Sequence, residues 1–385
     1  MIALIPTDAE DPAQLRDDLA RALDGGPALG FGMLDEAPAR VADGTAAVIA
    51  TSGSSGIPKR VVLSGEALRA SAEATAQRIG HGRWLLALPA GYVAGLQVLV
   101  RSHLAGTDPV VLPGRFSPVG FAESTLSMLR PAKGAPGIPE LYTSLVPAQV
   151  STLLDAAGDT AVRAALQAYR AILVGGQALP QPLRDRAADL GVRLVRTYGS
   201  TETSGGCVYD GVPLDTVAVR VVEGELRLAG PMLADGYLDD GALTARAFVR
   251  DEHGIRWYRT GDLGLVEDGS VRVHGRADNV IVSGGINVSL DRVERVVRQV
   301  PGLHQAVVIG VDDARWGEAS VIVAARGEAL RRSEGEQLAQ ARDAVAEEVG
   351  KHARPDRLIL VDELALLASG KPDREAIRRA VAALH

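Results

Sequence analysis

The stretch AILVGGQALPQPLRDRAADLGVRLVRTYGSTET, residues 171–203, decides the fold class. Residues 171–174 form an apolar run that predicts a buried strand, and a helix is expected from about Pro180 to Leu190. Residues 192–195 predict a second strand. A strand, a crossover helix and another strand indicate a parallel pair with the helix on one face. The polar residues that follow lie where open α/β sheets place ligands.

The same alternation of strands and helices begins at about Thr45 and continues through the first two thirds of the chain. Further strands are predicted at 46–50, 61–63, 85–88 and 110–112, with Ser64 as the N-cap of a helix. Residues 217–228 predict instead a hairpin that turns at Glu223-Gly224. After Gly275 the pattern predicts strands at 280–282, 306–311, 321–325 and 358–361, and helices at 290–300 and 336–349.

These elements predict an α/β protein of two domains. Residues 1–276 should form a large N-terminal domain of mixed and parallel sheets covered by helices. Residues 279–385 should form a small α+β C-terminal domain of common domain size.

Composition limits the classes of partner and the compartment. The 385 residues are 46% hydrophobic and carry a net charge of -7 with no dense run of Lys and Arg, so we expect no nucleic-acid or membrane partner. The N-terminus lacks the features of a secretory signal, and no apolar run is long enough for a membrane span. The single Cys207 excludes an internal disulfide and fits the reducing cytoplasm. The sequence does not decide the oligomeric state, and a homodimer is compatible with it.

Lysine is scarce, which makes each lysine a candidate for a specific role. The 41 basic residues include only four lysines. Arginine does not replace lysine where a compact point charge is needed. Two of the four, Lys59 and Lys371, fall within short motifs.

The first motif, TSGSSGIPK at residues 51–59, lies between two predicted strands. Its hydroxyls, glycine N–H groups and Lys59 can converge on phosphate oxygens. It differs from the Walker pattern, because Pro58 stands where that pattern has Gly before its Lys. Taken alone, the segment is better described as a Ser/Gly-rich turn between strands, because short motif matches often mislead.

Five further motifs follow in order: YGSTET (198–203), TGDLG (260–264), GRAD (275–278), SGG (283–285) and SGKP (369–372). With the first motif, this set resembles the adenylate-forming superfamily of acyl-CoA synthetases, adenylation domains and luciferases. The resemblance spans about Thr45 to Arg374. It implies ATP and coenzyme A as co-substrates and Mg²⁺ as the metal cofactor.

The resemblance implies a role for each matched residue in nucleotide binding. The residues that would clamp the β- and γ-phosphates are Thr51, Ser52, Gly53, Ser54, Ser55, Gly56 and Lys59. Thr201 would hold the α-phosphate and Glu202 would coordinate Mg²⁺. The adenine would lie on Tyr198, beside Gly199, with Gly176, Gln177 and Ala178 as the facing wall. Asp262 would accept the ribose hydroxyls and Arg276 would support the ribose, although these two could also be an ordinary ion pair.

The C-terminal motifs imply the two half-reactions. Lys371 resembles the superfamily's catalytic lysine, whose ammonium stabilises charge as a carboxylate attacks the α-phosphorus. The family's domain rotation would use a hinge at about Asp278. It would bring Gly284 and Gly285 beside the pantetheine of coenzyme A.

The acid is indicated by weaker signals. Residues 84–89, 93–97, 100–102 and 205–211 resemble the short o-succinylbenzoate–CoA ligases of menaquinone biosynthesis. The acid that these ligases use has two carboxylates. Arg101 is the candidate partner of the one that does not react, and the alternative is that Arg101 is an ordinary solvated arginine on a helix. Tyr92 stands where many relatives have a gating His, while Ser204 and Gly205 would line the slot for the ring.

Three other functions remain open at this point. The acid could be another aryl or fatty acid, or the acyl group could be loaded onto a separate carrier protein. A non-catalytic nucleotide-binding relative is the third, against which Glu202, Asp262 and Lys371 argue.

Overall fold

A computed structural model gives the structure of the protein and describes residues 1–7, 11–32, 34, 37–51, 59–130, 139–326, 333–367 and 371–383. Within these residues we find no helix that combines the length and apolarity needed to cross a bilayer. The helices are α1 (Pro12–Leu23), α2 (Gly65–Ile79), α3 (Val93–Leu104), α4 (Pro118–Met128), α5 (Pro147–Asp155), α6 (Thr160–Ala168), α7 (Gln181–Asp189), α8 (Gly241–Ala247), α9 (Leu290–Val297), α10 (Glu334–Glu348) and α11 (Arg374–Ala382), with 3₁₀ turns at Thr201–Thr203 and Lys351–Ala353.

The strands belong to four sheets. In chain order they are β1 (Ile2–Pro6), β2 (Ala28–Phe31), β3 (Arg40–Val41), β4 (Thr45–Thr51), β5 (Lys59–Ser64), β6 (Arg83–Leu86), β7 (Val110–Val111), β8 (Leu141–Leu145), β9 (Tyr169–Val174), β10 (Leu194–Ser200), β11 (Gly205–Tyr209), β12 (Val212–Pro213), β13 (Ala218–Val222), β14 (Glu225–Ala229), β15 (Gly236–Tyr237), β16 (Phe248–Arg250), β17 (Arg256–Glu267), β18 (Ser270–Arg276), β19 (Val280–Ser283), β20 (Ile286–Ser289), β21 (Val307–Asp313), β22 (Gly317–Ala325) and β23 (Arg357–Val361).

The seven-stranded sheet has the order β12-β11-β10-β9-β8-β6-β7 and contains the strand–helix–strand unit predicted from residues 171–203. Strands β9 and β10 are parallel, with Leu194 opposite Ile172, and α7 connects them. Ile172 and Val174 are fully buried, as an apolar run in a covered parallel sheet requires. Beyond β10 the pairing becomes antiparallel, so the loop after β10 leaves the sheet at a change of direction.

The six-stranded sheet has the order β15-β5-β4-β2-β1-β3. Its strands β4 and β5 are antiparallel, and the pair Thr51–Lys59 closes their ladder at one end. Ser64 caps α2 as predicted, because its hydroxyl accepts from the Ala67 N–H at 3.2 Å. The two-residue strand β15 adds to the outer edge of β5, with Tyr237 opposite Val61.

The third sheet, β13-β14-β17-β16 with β18 on β17, is antiparallel and confirms the predicted hairpin. Glu223 and Gly224 both have positive φ, at 53° and 80°. Positive φ at both central residues makes the two-residue turn that suits the strand twist. This sheet carries Asp262 on β17 and Arg276 on β18 as a cross-strand pair.

The C-terminal α+β unit contains the sheet β20-β19-β22-β21, with β23 parallel to β22. Its core includes Val297, Val308 and Ile322. Helix α9 ends at Val297, three residues before the predicted end, since residues 298–303 continue as turns. The large N-terminal part and this small unit confirm the predicted fold class.

Candidate active site

The site begins at the carboxyl end of β10, where Tyr198 and the 3₁₀ turn follow one another. The Ser200 N–H donates to Thr203 Oγ1 at 2.8 Å, which closes the turn. The next residue, Ser204, has left-handed backbone with φ 51° and ψ 33°. Its hydroxyl donates to the Met232 carbonyl at 2.9 Å, and its carbonyl accepts from Ser71 Oγ at 3.0 Å. The Ser71 side chain and the Met232 backbone carbonyl, from two other segments, therefore hold this unusual backbone in place.

The turn directs Glu202 into the protein, where only 8% of the residue is exposed. The Tyr237 hydroxyl donates to Glu202 Oε1 at 2.9 Å, and the Ala234 N–H donates to the Glu202 carbonyl at 2.9 Å. Among the described residues there is no group of three or more His, Cys, Asp or Glu that could hold a metal. A single carboxylate fits Mg²⁺, which usually binds one or two carboxylates together with substrate phosphates and water.

Asp262 lies on β17 with 18% of its side chain exposed. The Tyr198 hydroxyl donates to Asp262 Oδ2 at 2.6 Å, and Arg276 Nη1 lies 3.5 Å from Oδ1. Burial raises the pKa of Asp262, while the Tyr198 hydrogen bond and the Arg276 charge act in the opposite direction. The structure thus brings together three residues that the sequence assigned to adenine and ribose.

Arg276 also holds the predicted hinge residue. Its Nε and Nη2 donate to the two carboxylate oxygens of Asp278, each at 3.0 Å, and Nη1 donates to the Thr260 carbonyl at 2.9 Å. The Asp278 bonds raise the pKa of the guanidinium above its ordinary value. The backbone N–H of Arg276 donates to Asp291 Oδ2 at 2.7 Å. These contacts join the third sheet to the first helix of the C-terminal unit.

Lys371 reaches from the C-terminal unit to the end of β9. A Cβ added at Gly176 would lie 3.2 Å from Lys371 Cε, so the lysine stem passes directly over this glycine. Lys371 is exposed to solvent, yet the surrounding protein lowers the pKa of its ammonium by desolvation. The charges of Glu202 and Asp262 raise that pKa and so partly offset the loss of hydration. The charges of two carboxylates therefore act on one ammonium.

The segment 176–178, which was predicted to face the adenine, follows β9 and contacts the C-terminal unit. Gly176 has φ +83°, which favours glycine. The Gln177 Oε1 accepts from Arg298 Nη1 of the C-terminal unit at 3.4 Å, and Ala178 is exposed.

The phosphate-loop prediction is only partly within the described residues. Ser52, Gly53, Ser54, Ser55 and Gly56 lie outside them. Thr51 and Lys59, at the two ends, form a cross-strand pair in which Thr51 Oγ1 donates to the Lys59 carbonyl at 3.2 Å. The Lys59 ammonium lies 5.9 Å from the centroid of the Tyr237 ring.

Residues assigned to the acid surround the start of α3 and β11. Tyr92 is the N-cap of α3 and is half-buried. A Cβ added at Gly205 would lie 3.4 Å from Gln97 Cγ, so Gln97, which the sequence did not indicate, faces this glycine from α3. Ser204 is fully buried beside it. Cys207 is buried in the same strand, and burial raises the pKa of its thiol to about 12, which makes it a poor nucleophile.

Arg101 lies one turn beyond Gln97 on α3 and is 7% exposed. Its guanidinium stands 5.1 Å from the Trp84 ring and lines a small cavity between the C-terminal ends of α2 and α3. In the described part of the chain, Arg101 Nε has no hydrogen-bond partner and no carboxylate pairs with the side chain. Burial lowers the pKa of this guanidinium. A buried cation in this state favours the binding of an anion.

Gly284 and Gly285 form the turn between β19 and β20, with φ of +57° and +81°. The Gly284 N–H donates to the Trp316 carbonyl at 2.8 Å, and a Cβ at Gly284 would lie 3.0 Å from Trp316 Cε3. The turn is exposed and its contacts are with the C-terminal unit.

Family models match both parts of the chain. One for an AMP-binding enzyme covers residues 4–238, and one for the AMP-binding enzyme C-terminal domain covers residues 292–371. The chain belongs to the AMP-binding enzyme family. The two matched ranges include Glu202 and Lys371, respectively.

Several relatives of the chain carry the name 2-succinylbenzoate–CoA ligase. A "probable 2-succinylbenzoate–CoA ligase" of Mycobacterium tuberculosis is 40% identical over 345 residues, covering 88% of this chain and 85% of the relative. A 2-succinylbenzoate–CoA ligase of Salmonella typhimurium is 33% identical over 284 residues, covering 71% of this chain and 56% of the relative. The solved o-succinylbenzoate CoA synthetase of Bacillus subtilis, in complex with its acyl-adenylate intermediate, has a TM-score of 0.71 at 26% identity, covering 87% and 69%.

Proposed function

We propose that this AMP-binding enzyme is an AMP-forming acid–CoA ligase that converts 2-succinylbenzoate, ATP and coenzyme A to 2-succinylbenzoyl-CoA, AMP and diphosphate. The observation that carries the catalytic part is that Lys371 of the C-terminal unit lies over Gly176 at the end of β9, where the charges of Glu202 and Asp262 act on its ammonium. Bound Mg²⁺ would neutralise phosphate charge beside Glu202. The 40% identity to a probable 2-succinylbenzoate–CoA ligase supports the choice of acid.

In the first half-reaction, a carboxylate oxygen of the acid forms a bond to the α-phosphorus as the bond to the bridging oxygen breaks and diphosphate leaves. Lys371 would donate hydrogen bonds to the oxygens on which charge develops. Thr201, at the start of the turn that bears Glu202, would hold the α-phosphate. Thr51, Lys59 and the loop between them would hold the outer phosphates. Tyr198, Gly199, Asp262 and Arg276 would position the nucleoside against the wall formed by residues 176–178.

In the second half-reaction, the thiol sulfur of coenzyme A attacks the acyl carbonyl, the bond to the AMP oxygen breaks, and the thiol proton is lost. We propose that residues 279–385 turn about Asp278 relative to residues 1–276 for this step, with Gly284 and Gly285 moving beside the pantetheine. The bidentate Arg276–Asp278 contact supports this hinge, because it ties the proposed hinge residue to the last residue of β18.

We propose that Arg101 pairs with the ring carboxylate of the acid, while Tyr92, Ser204 and Gly205 line the slot on the way to it. The buried guanidinium without a carboxylate partner in the described chain supports this assignment. A menaquinone pathway role follows from the same choice of acid. A cytoplasmic location and a homodimer are further parts of the proposal. So is the absence of nucleic-acid or membrane partners, which the mixed charge supports.

Diphosphate release over a panel of acids, with and without coenzyme A, tests the proposal. We expect 2-succinylbenzoate to give the highest kcat/KM and the thioester to form only when coenzyme A is present. Equal rates with benzoate or a medium-chain fatty acid would overturn the choice of acid. Acylation of a carrier protein in preference to coenzyme A would overturn the choice of acceptor.

A further inference from the structure

Tyr237 is fixed by contacts on three sides. Its strand β15 is hydrogen-bonded to β5, the strand that begins at Lys59. Its backbone N–H donates to Thr244 Oγ1 at 2.9 Å, and its ring packs 6.0 Å from the ring of Phe248. Only 7% of the residue is exposed. The side chain therefore has little freedom to move.

The Tyr237 hydroxyl ends at Glu202, 35 residues earlier in the chain, with a 2.9 Å hydrogen bond to Oε1. The phenol is the donor in this bond, because an ionised carboxylate can only accept. The terminal torsion of a glutamate is broad. A fixed donor on one oxygen selects one orientation of the carboxylate and leaves Oε2 for a cation.

We propose that Tyr237 is a positioning residue that orients Glu202 for Mg²⁺, an inference that rests on the proposed use of MgATP. Outer-shell partners of metal-binding carboxylates orient their ligands in this way. The same ring faces the Lys59 ammonium at 5.9 Å from its centroid, within the range of a cation–π contact. One tyrosine thus joins the cation-binding carboxylate to the end of the phosphate loop.

The test is the Mg²⁺ dependence of ATP binding, measured by calorimetry without any acid, in Tyr237→Phe. This variant keeps the ring and its Lys59 contact and removes only the hydroxyl. We expect the apparent Mg²⁺ affinity to fall by about 10- to 100-fold, while binding of ATP in the presence of EDTA is unchanged. Because the assay contains no acid, its outcome is independent of whether 2-succinylbenzoate is the substrate.

Tyr169→Phe is the matched control, since its buried hydroxyl also has a close partner, Thr125 Oγ1 at 2.7 Å, in a separate core cluster. It should lose similar thermal stability and keep the wild-type Mg²⁺ dependence. In a Glu202→Gln background, Tyr237→Phe should add no further loss of Mg²⁺ affinity. An unchanged Mg²⁺ dependence in Tyr237→Phe would overturn the proposal. An equal loss in Tyr169→Phe, or an additive loss in the double variant, would do so too.

Discussion

Replacing Arg101 by methionine should separate recognition of the acid from stability of the free protein. Methionine keeps an unbranched apolar side chain next to Trp84 and removes the buried charge. If the ring carboxylate pairs with Arg101, truncation costs roughly 2–5 kcal/mol in discrimination, the range for buried hydrogen-bonded charge pairs. That is a loss of about 30-fold to several thousand-fold in the preference for 2-succinylbenzoate over a keto analogue without the ring carboxylate.

The free protein should respond differently, because Arg101 is desolvated there without a carboxylate partner in the described chain. Its contact with Trp84 contributes about 0.5–2 kcal/mol. Relief of the desolvation cost, several kcal/mol for an unpaired buried ion, offsets or exceeds this contribution. We therefore expect the ligand-free variant to unfold at the same temperature as the wild type or higher.

The assays are kcat/KM for diphosphate release with each acid, and thermal unfolding without ligands. Arg78→Met on the neighbouring helix α2 is the control, since Arg78 is 26% exposed and paired with Asp215. It should leave the acid preference unchanged. Retention of the wild-type preference by Arg101→Met would refute the carboxylate pairing. A stability loss larger than that of Arg78→Met would refute the argument from desolvation.

Three other predictions follow from the cleft and the hinge. Lys371→Ala should reduce ATP–diphosphate exchange by more than about 100-fold, because it removes the charge that stabilises the transition state, and should still convert a supplied acyl-adenylate with coenzyme A; normal exchange would exclude Lys371 from adenylation. Asp278→Pro, which fixes φ near about -65°, should reduce thioester formation from a supplied acyl-adenylate more than exchange, and equal losses would indicate general damage. Since the pKa of Lys371 is lowered, its ammonium is lost as pH rises, so the exchange rate should fall at a pH below the 10.5 of an ordinary lysine. The pH profile of Lys371→Arg should lack this alkaline fall, because the guanidinium stays charged. If the fall persists in Lys371→Arg, it belongs to another titrating group.

The sequence predicted those elements whose signal lies within their own residues. The apolar run before α7 and the Glu223-Gly224 turn needed no distant partner to be recognised. Strand β20 was not predicted, because residues 286–289 follow two glycines and two of the four, Ile286 and Asn287, are exposed. Helix α11 was also missed, although its buried Ile377 and Val381 are four residues apart, as on one helix face.

The site divides in the same way. Motifs indicated Tyr198, Asp262 and Arg276, and the structure joins them by hydrogen bonds. Tyr237 gave no signal, because a Gly-Tyr pair in a two-residue strand has no periodicity and its partner Glu202 is remote in sequence. Gln97 was hidden among the apolar residues of α3, and only tertiary packing shows that it faces Gly205.

The backbone around Glu202 determines which positions can be randomised in a library of variants selected for activity on a different acid. Gly205 has φ +102°, and a Cβ at Gly199 would lie 2.1 Å from the Gly205 carbonyl oxygen, so side chains at either position collide or strain the chain. Randomising these two positions would yield mainly misfolded clones. Val93 and Gln97 approach Gly205, in the proposed acid slot, from a regular helix, where a change of side chain does not strain the backbone. Codons for these two residues are therefore the economical starting point for changing substrate scope.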